Sequence, residues 1–599
     1  MRSKVASTRN LRSKGSTSRE SRVGVARVDI TPDRALPMAG YSGAGQLGVR
    51  GRDRLYARAF YFEDPHGAPL AICALDLWCA SSFLVAAVAE RLSKEGVGAD
   101  RLVLVGTHTH SAPGNYLGNA FYDALGSDKP GFDRKWAHGL AGMTANAIKE
   151  ARASARPARL AWGTSDLWSM SRNRSLPAFE AAQSPLDWVS PGELGERAPA
   201  DASPQQKAID PRVSTLTITD HAGAIQGVLA LFGCHATALG IDFGTFSRDW
   251  PGYAVDDTER RLKDEGHFGA VVALVPSAAG DVTPLPPDDR RGTWQGPDHG
   301  SRNPNHAQGR GLAQWMGRAL GETMAARALA DAPTAKGFTV DGRFRPWVPL
   351  ETADAEAPIE SWSIGWPVLG GAEDARTGWR HLRIREGMPS DHYLGPGRDA
   401  WQHPKSPVGS GAQRWLWRFL ELLKPSAWHA LHVVRVGPMV LATVPGEPTT
   451  VMARRTERAL AAITGTEVRV VGFAGDYAGY FTTEEEYALQ HYEGAHTLYG
   501  RKSALHLQRR LCELATAMQQ GARVDLPSQL ACHSISASLC RLLWWRLTRH
   551  EEKVELETAG QPTVARVARK PPDDEAVPVL GRGFGGKLPR HRNLYLYDP

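Results

Sequence analysis

Two histidines with one residue between them, His108 and His110, stand in the stretch Gly106-Thr107-His108-Thr109-His110-Ser111-Ala112-Pro113-Gly114. The stretch directly follows the apolar run Leu102-Val103-Leu104-Val105. In extended backbone, side chains at i and i+2 point to the same side. One imidazole can then offer a nitrogen to a metal while the other keeps its nitrogen for proton transfer. The corresponding chemistry is metal-dependent hydrolysis, in which about three protein ligands hold the ion and one position stays open for water. His235 and Glu447 each follow another apolar run and complete that count with His108. On chemistry alone, Asp76, Asp249 and Asp281 remain alternative ligands. A lone His-x-His is a weak signal, so the surrounding elements must carry the argument.

Six apolar runs end in residues of this kind. Pro69–Leu75 leads to Asp76, Leu102–Val105 to the two histidines, and Gly227–Phe232 to His235. Ala270–Val275 leads to Asp281 and Thr283, Met439–Val444 to Glu447, and Val468–Val471 to Asp476 and Tyr480. Near-continuous apolar runs are strands buried on both faces. Helical patterns at 81–94, 134–154, 308–330 and 449–463 lie between them. The alternation predicts an α/β or α+β body, layered and with mixed sheets. Ligands in such sheets collect outside the carboxyl ends of strands. Residues 340–430, rich in Pro, Gly and Trp, read as a loop-rich insertion between the fourth and fifth of these strands. Such a segment serves as a lid or binding loop, or as a plain structural excursion. Residues 482–519 are expected to be partly helical, with Thr482-Thr483-Glu484-Glu485-Glu486 as a capped start. Leu539–Leu547 reads as an amphipathic packing helix, with an interfacial membrane helix as the alternative.

The 599 residues are 42% hydrophobic and 23% charged, enough for a sizeable core. No run approaches the ~18 apolar residues of a transmembrane helix. The net charge of +7 is concentrated: residues 1–22 hold seven Lys or Arg against Glu20, leaving +1 for the rest. The folded part therefore has no nucleic-acid footprint in its charge. The basic, Ser-rich tail is expected to be disordered and lacks the apolar core of a secretory signal. A soluble protein, cytoplasmic by default, is the expectation. Cys73, Cys79, Cys234, Cys512, Cys532 and Cys540 form no C-x-x-C pair and read as free thiols, with Cys532–Cys540 as the alternative pairing.

The motifs resemble those of the neutral ceramidases. Met38-Ala39-Gly40-Tyr41 is like that family's M-x-G-Y segment, and residues 106–114 like its G-T-H-T-H-S-G-P-G. Asn173-Arg174-Ser175 is similar to N-R-S, Gly280-Asp281-Val282-Thr283-Pro284 to G-D-V-S-P, and Pro445-Gly446-Glu447-Pro448-Thr449-Thr450 to P-G-E-F-T-T. Tyr477–Tyr487 followed by Gln490–Gly494 is the longest match, and together the motifs span residues 24–515 in order. The resemblance implies a zinc amidohydrolase that cleaves the N-acyl bond of ceramide to a sphingoid base and a fatty acid. It implies His108, His235, Glu447 and Tyr480 as zinc ligands; Tyr480 rests on the resemblance alone. His110 is then left to protonate the leaving amine. The resemblance further implies that Arg174 and Tyr492 orient the substrate and stabilise the oxyanion, with a surface salt bridge as the alternative role of Arg174. Tyr499 is a looser match.

The departures from the family carry expectations of their own. Thr283 stands where the family has a serine, and its β-branched hydroxyl is hindered. The expected nucleophile is therefore metal-bound hydroxide rather than a serine-type hydroxyl. Ala236-Thr237-Ala238-Leu239 replaces an Asn-rich segment. The family ends in a β-sandwich, and the roughly 80 residues after position 520 are short for a sandwich of ~100. The expected organisation is a basic tail over 1–22, a catalytic domain over 23–520 and a short C-terminal segment over 521–599. The expected partners are ceramide or a similar N-acyl lipid and a transient membrane surface, with no nucleic acid. Another amide or ester is the alternative substrate, and a non-catalytic binding protein keeping the fold is the alternative of another class.

Overall fold

The computed structural model describes residues 20–65, 68–168, 170–182, 198–284, 306–330, 337–349, 354–389, 402–408 and 423–524, and the backbone of 552–558 and 561–567. Residues 1–19, Leu539–Leu547, Cys532 and Cys540 lie outside them. Cys73, Cys79 and Cys234 are buried free thiols, and Cys512 is a half-buried one.

Three mixed sheets make the body. The first runs Leu102–Gly106, Leu70–Leu75, Tyr56–Glu63, Arg22–Asp29 and Arg156–Pro157. The second runs Val271–Pro276, Ile225–Phe232, Arg212–Thr219 and Arg159–Asp166. The third runs Val340–Trp347, His429–Val436, Met439–Thr443 and Val468–Val471. Each contains one parallel pair: Leu75 lies opposite Gly106, Phe232 opposite Pro276, and Thr443 opposite Val471. These are the six apolar runs of the sequence. Parallel neighbours need a crossover, and helices Ser82–Arg91, Asp249–Asp264 and Thr450–Thr464 supply one each.

The remaining strands of these three sheets are antiparallel and were not among those runs. Val340–Trp347 shows why. Its sequence, Val-Asp-Gly-Arg-Phe-Arg-Pro-Trp, alternates apolar and polar, and Val340, Gly342 and Phe344 are buried between half-buried neighbours. That period of two marks a half-buried strand at a sheet edge, where Pro346 is tolerated. The expected insertion at 340–430 therefore begins as a strand of the third sheet.

The sheets share one core. Phe60, Phe62, Ile72 and Val103 of the first pack with Leu216, Leu229 and Val275 of the second and Val434, Leu441 and Val471 of the third. Each such side chain contributes about 1.5–3 kcal/mol on burial. Helices cover the outer faces. Arg134–Ala153, capped by the Asp133 carboxylate on Trp136 N at 2.9 Å, buries Trp136, Leu140, Ala141, Thr144 and Ile148, a stripe at helical spacing. No helix among the described residues is long and apolar enough to cross a membrane.

Candidate active site

Two short backbone pairings assemble a buried cluster beyond the ends of the parallel strands. Thr109 pairs with Ala236 as an isolated parallel bridge. This sets the chain leaving the first sheet against the chain leaving the second and brings His108 and His110 to His235. Glu447 pairs with Tyr480 across the parallel strands Glu447–Pro448 and Tyr480–Phe481, so these two residues are neighbours. Gly446 permits that approach: at φ +152, a Cβ there would lie 2.2 Å from the Gly479 carbonyl oxygen.

The three imidazoles meet nitrogen to nitrogen. Their facing ring nitrogens all lie within 4.8 Å of one another. His108 Nε2 is 3.1 Å from His110 Nε2 and 3.7 Å from Glu447 Oε1. Glu447 Oε2 lies 3.0 Å from His235 Nε2, and the Tyr480 hydroxyl 3.5 Å from the same nitrogen. His108 adopts a left-handed φ of +65, uncommon outside glycine, and its ring lies 3.8 Å from that of Phe473.

The protonation of two rings follows from their outer partners. His108 Nδ1 donates to the Trp78 carbonyl at 2.9 Å. His235 Nδ1 donates to the carbonyls of Ala279 at 2.6 Å and Val282 at 3.1 Å. A carbonyl only accepts, so each neutral ring turns a bare Nε2 inward. Burial holds the His108 pKa down at about 3. Burial, followed by His108 and His235, also lowers that of His110. Lone pairs thus converge on a carboxylate whose Oε2 has no aligned hydrogen-bond donor. Such a donor set fits a divalent cation. His110 belongs to the same cluster, but its Nδ1 has no hydrogen-bond partner among the described residues.

Beside the cluster lies a second network. Strand Ser171–Asn173 pairs with Val282–Pro284, placing Thr283 opposite Arg172, and Arg174 N donates to the Asp281 carbonyl just beyond. Arg174 donates to Glu493 at 2.9 Å, to the Gly280 carbonyl at 2.8 Å and to the Tyr480 hydroxyl at 3.0 Å. Its guanidinium lies 5.5 Å from the Tyr492 ring centroid, a cation–π contact. The Thr283 hydroxyl donates to Asp374, which also receives Arg174 Nη1 at 3.4 Å. Burial raises the Asp374 pKa, but Arg174 and Thr283 together bring it below the ordinary value. Burial raises the pKa values of Tyr480 and Tyr492.

His108, His110, His235, Glu447, Tyr480, Arg174, Thr283 and Tyr492 all lie in these two networks. Asp76, Asp249 and Asp281 are engaged elsewhere. Asp76 pairs with Arg58 at 2.7 Å, Asp249 accepts from the backbone of Leu239 at 3.0 Å, and Asp281 accepts from Thr450 at 2.8 Å and Asn173 at 2.7 Å. Tyr499 packs against Trp347 and His429. Three contributors were not picked out from the sequence. Tyr477 donates to Glu447, and its place three residues before Tyr480 in the longest motif was a signal. Glu493, in the same motif, binds Arg174 and accepts from Ser175 at 2.6 Å. Asp374 carries no local signal, since it enters from the irregular segment far along the chain.

Residues 22–290 and 416–508 match the family model described as neutral/alkaline non-lysosomal ceramidase, N-terminal. The neutral ceramidase of Pseudomonas aeruginosa is 27% identical over 545 residues, covering 87% of this chain and 75% of that protein. That of Mycobacterium tuberculosis is 26% identical over 539 residues, covering 84% and 78%. The crystal structure of the Pseudomonas aeruginosa neutral ceramidase superposes with a TM-score of 0.65 at 25% identity, over 85% of this chain and 76% of that one.

Proposed function

Because the chain belongs to the neutral/alkaline non-lysosomal ceramidase family, we propose that it hydrolyses the N-acyl amide of ceramide to a sphingoid base and a fatty acid. The observation that carries this reading is the convergence of His108, His110, His235 and Glu447 in one buried cluster. In this reading zinc is held by His108, His235, Glu447 and Tyr480. Zinc so bound polarises a carbonyl and lowers the pKa of a water.

The chain's own residues divide the remaining work. Amide hydrolysis adds water across the C–N bond: the acyl carbon gains a hydroxyl group and the leaving nitrogen gains a proton. His110 delivers that proton. Its Nδ1 is not tied to a carbonyl, as those of His108 and His235 are, so its proton can move between nitrogens. Arg174, held by Glu493 and Gly280, places a fixed positive charge where the carbonyl oxygen becomes negative. Tyr492 packs on that guanidinium and orients the substrate. Thr283 positions rather than attacks: its hydroxyl is bonded to a carboxylate whose lowered pKa makes it a poor base. Residues 23–520 form the catalytic body in this reading, with 1–22 and 521–599 flanking it.

A different N-acyl amide is the second reading. It is favoured by Asp374, which reaches Arg174 and Thr283 from outside the two stretches matching the family model. Release of sphingoid base from a short-chain ceramide, with zinc content measured on the same sample, tests the proposal. Turnover that depends on bound zinc supports it. A zinc-loaded protein that spares ceramide and cleaves another amide selects the second reading.

A further inference from the structure

Three exposed apolar side chains fall in one short segment: Trp379 at 46% exposure, Leu382 at 67% and Met388 at 36%. The same segment presents Arg383 and Arg385, both exposed and without a carboxylate partner among the described residues, and the exposed His381. The nearby acids among the described residues are engaged. Glu373 pairs with Arg172 at 2.8 Å, Asp374 bonds Thr283 and Arg174, and Glu386 accepts from Tyr492 N at 3.3 Å. The outer face is therefore apolar and positive, on a chain that is nearly neutral beyond its basic tail. The inner face is fastened to the candidate active site, and Gly387 N donates to the Gln490 carbonyl at 3.1 Å as a further tie. The segment lies between the two stretches that match the family model.

We propose that residues 379–388 seat the protein on an anionic lipid bilayer, with Trp379, Leu382 and Met388 entering the headgroup boundary and Arg383 and Arg385 meeting lipid phosphates. An amphipathic indole beside aliphatic side chains and unpaired arginines matches that interface in polarity and in charge. The inference rests on the lipid-amide reading for its purpose: a long-chain substrate resides in the bilayer, and this face borders the residues proposed to act on it.

The test is sedimentation of the full chain with phosphatidylcholine vesicles, with and without phosphatidylglycerol. Binding should require the anionic lipid. Arg383→Gln with Arg385→Gln should weaken it roughly fivefold per charge removed. Trp379→Ser with Leu382→Ser should weaken it by about tenfold or more. Both variants should turn over a soluble short-chain ceramide like wild type and lose turnover of ceramide held in anionic vesicles. The Trp379/Leu382 variant leaves the basic tail over residues 1–22 intact. If it binds vesicles as tightly as wild type, the tail carries the attraction and the proposal falls. Wild-type protein that ignores anionic vesicles also overturns it and leaves the face to a protein partner. Vesicle binding without hydrolysis of any ceramide would refute the activity while leaving the docking surface standing.

Discussion

Replacing Gly40 by alanine should disable His110 while leaving the metal site loaded. Gly40 has φ +106, and a Cβ built there would lie 2.5 Å from His110 Cγ, 2.7 Å from Nδ1 and 2.8 Å from Cδ2. Non-bonded carbons rest at about 3.5–4.0 Å, so the ring must retreat by roughly 1 Å. Tyr41 packs edge-on against the same ring at 4.7 Å, and its hydroxyl is anchored on the Leu239 carbonyl at 2.7 Å. The ring cannot retreat past Tyr41 without moving an anchored neighbour. The backbone strain of an L-residue at this φ costs about 1–3 kcal/mol and falls on stability. The displacement falls on the reaction: a shift of about 1 Å in a reacting group costs on the order of 10²-fold. The assay is kcat and KM on a short-chain ceramide well below the melting temperature, with zinc content and thermal unfolding measured in parallel. The expected result is kcat lower by about 10²-fold, KM changed little, zinc retained and a lower Tm. Wild-type kcat in folded Gly40→Ala would refute the role given to His110. Loss of zinc together with rate would show His110 to be a ligand.

The remaining predictions concern the same networks. His108→Ala and His235→Ala should lose zinc, whereas His110→Ala should retain it and lose about 10²–10⁴-fold in rate; metal analysis and kinetics on all three decide. Tyr477→Phe removes the hydroxyl that donates to Glu447 and should weaken zinc affinity by about 10–100-fold, read by competition with a chelator. Thr283→Ala should keep kcat/KM within about tenfold of wild type. Asp374→Asn should cost more than that, because it also removes one of the two carboxylates paired with Arg174 and leaves Glu493 alone. For Glu386, burial followed by Glu493 raises the pKa to about 8 from an ordinary 4.5. The folded chain then holds a proton that the unfolded chain has lost, so stability falls as pH rises through that window. Glu386→Gln lacks this loss. Urea unfolding should show it gaining on wild type by up to a few kcal/mol between about pH 5 and about pH 9, and parallel curves for the two proteins would refute the assignment.

The strands most visible in the sequence were those buried on both faces. Leu70–Leu75, Leu102–Gly106 and Met439–Thr443 are near-continuous apolar runs because parallel strands inside a layered body meet little solvent. Arg212–Thr219 and Val340–Trp347 were less legible, because alternation of polar and apolar residues over eight positions also occurs in loops. The crossover helix Asp249–Asp264 carries many charges, and its buried Trp250, Ala254, Val255, Thr258 and Leu262 emerge only once the packing face is known.

The sequence by itself determined the inventory of chemistry: paired histidines after one buried strand, a third histidine and a glutamate after others, and motifs that a family shares. It did so because ligand type and strand burial are local properties, written in single residues and short windows. Only the tertiary structure decided that these residues meet. The Thr109–Ala236 bridge and the Glu447–Tyr480 pairing exist because three sheets pack around one core. That burial is a non-directional, long-range term that no window of sequence contains. The structure also added Asp374 from a segment without periodicity, and it set His108 and His110 edge to edge. Their different outer partners among the described residues, a carbonyl for one and none for the other, distinguish the two rings where the spacing alone left them equivalent.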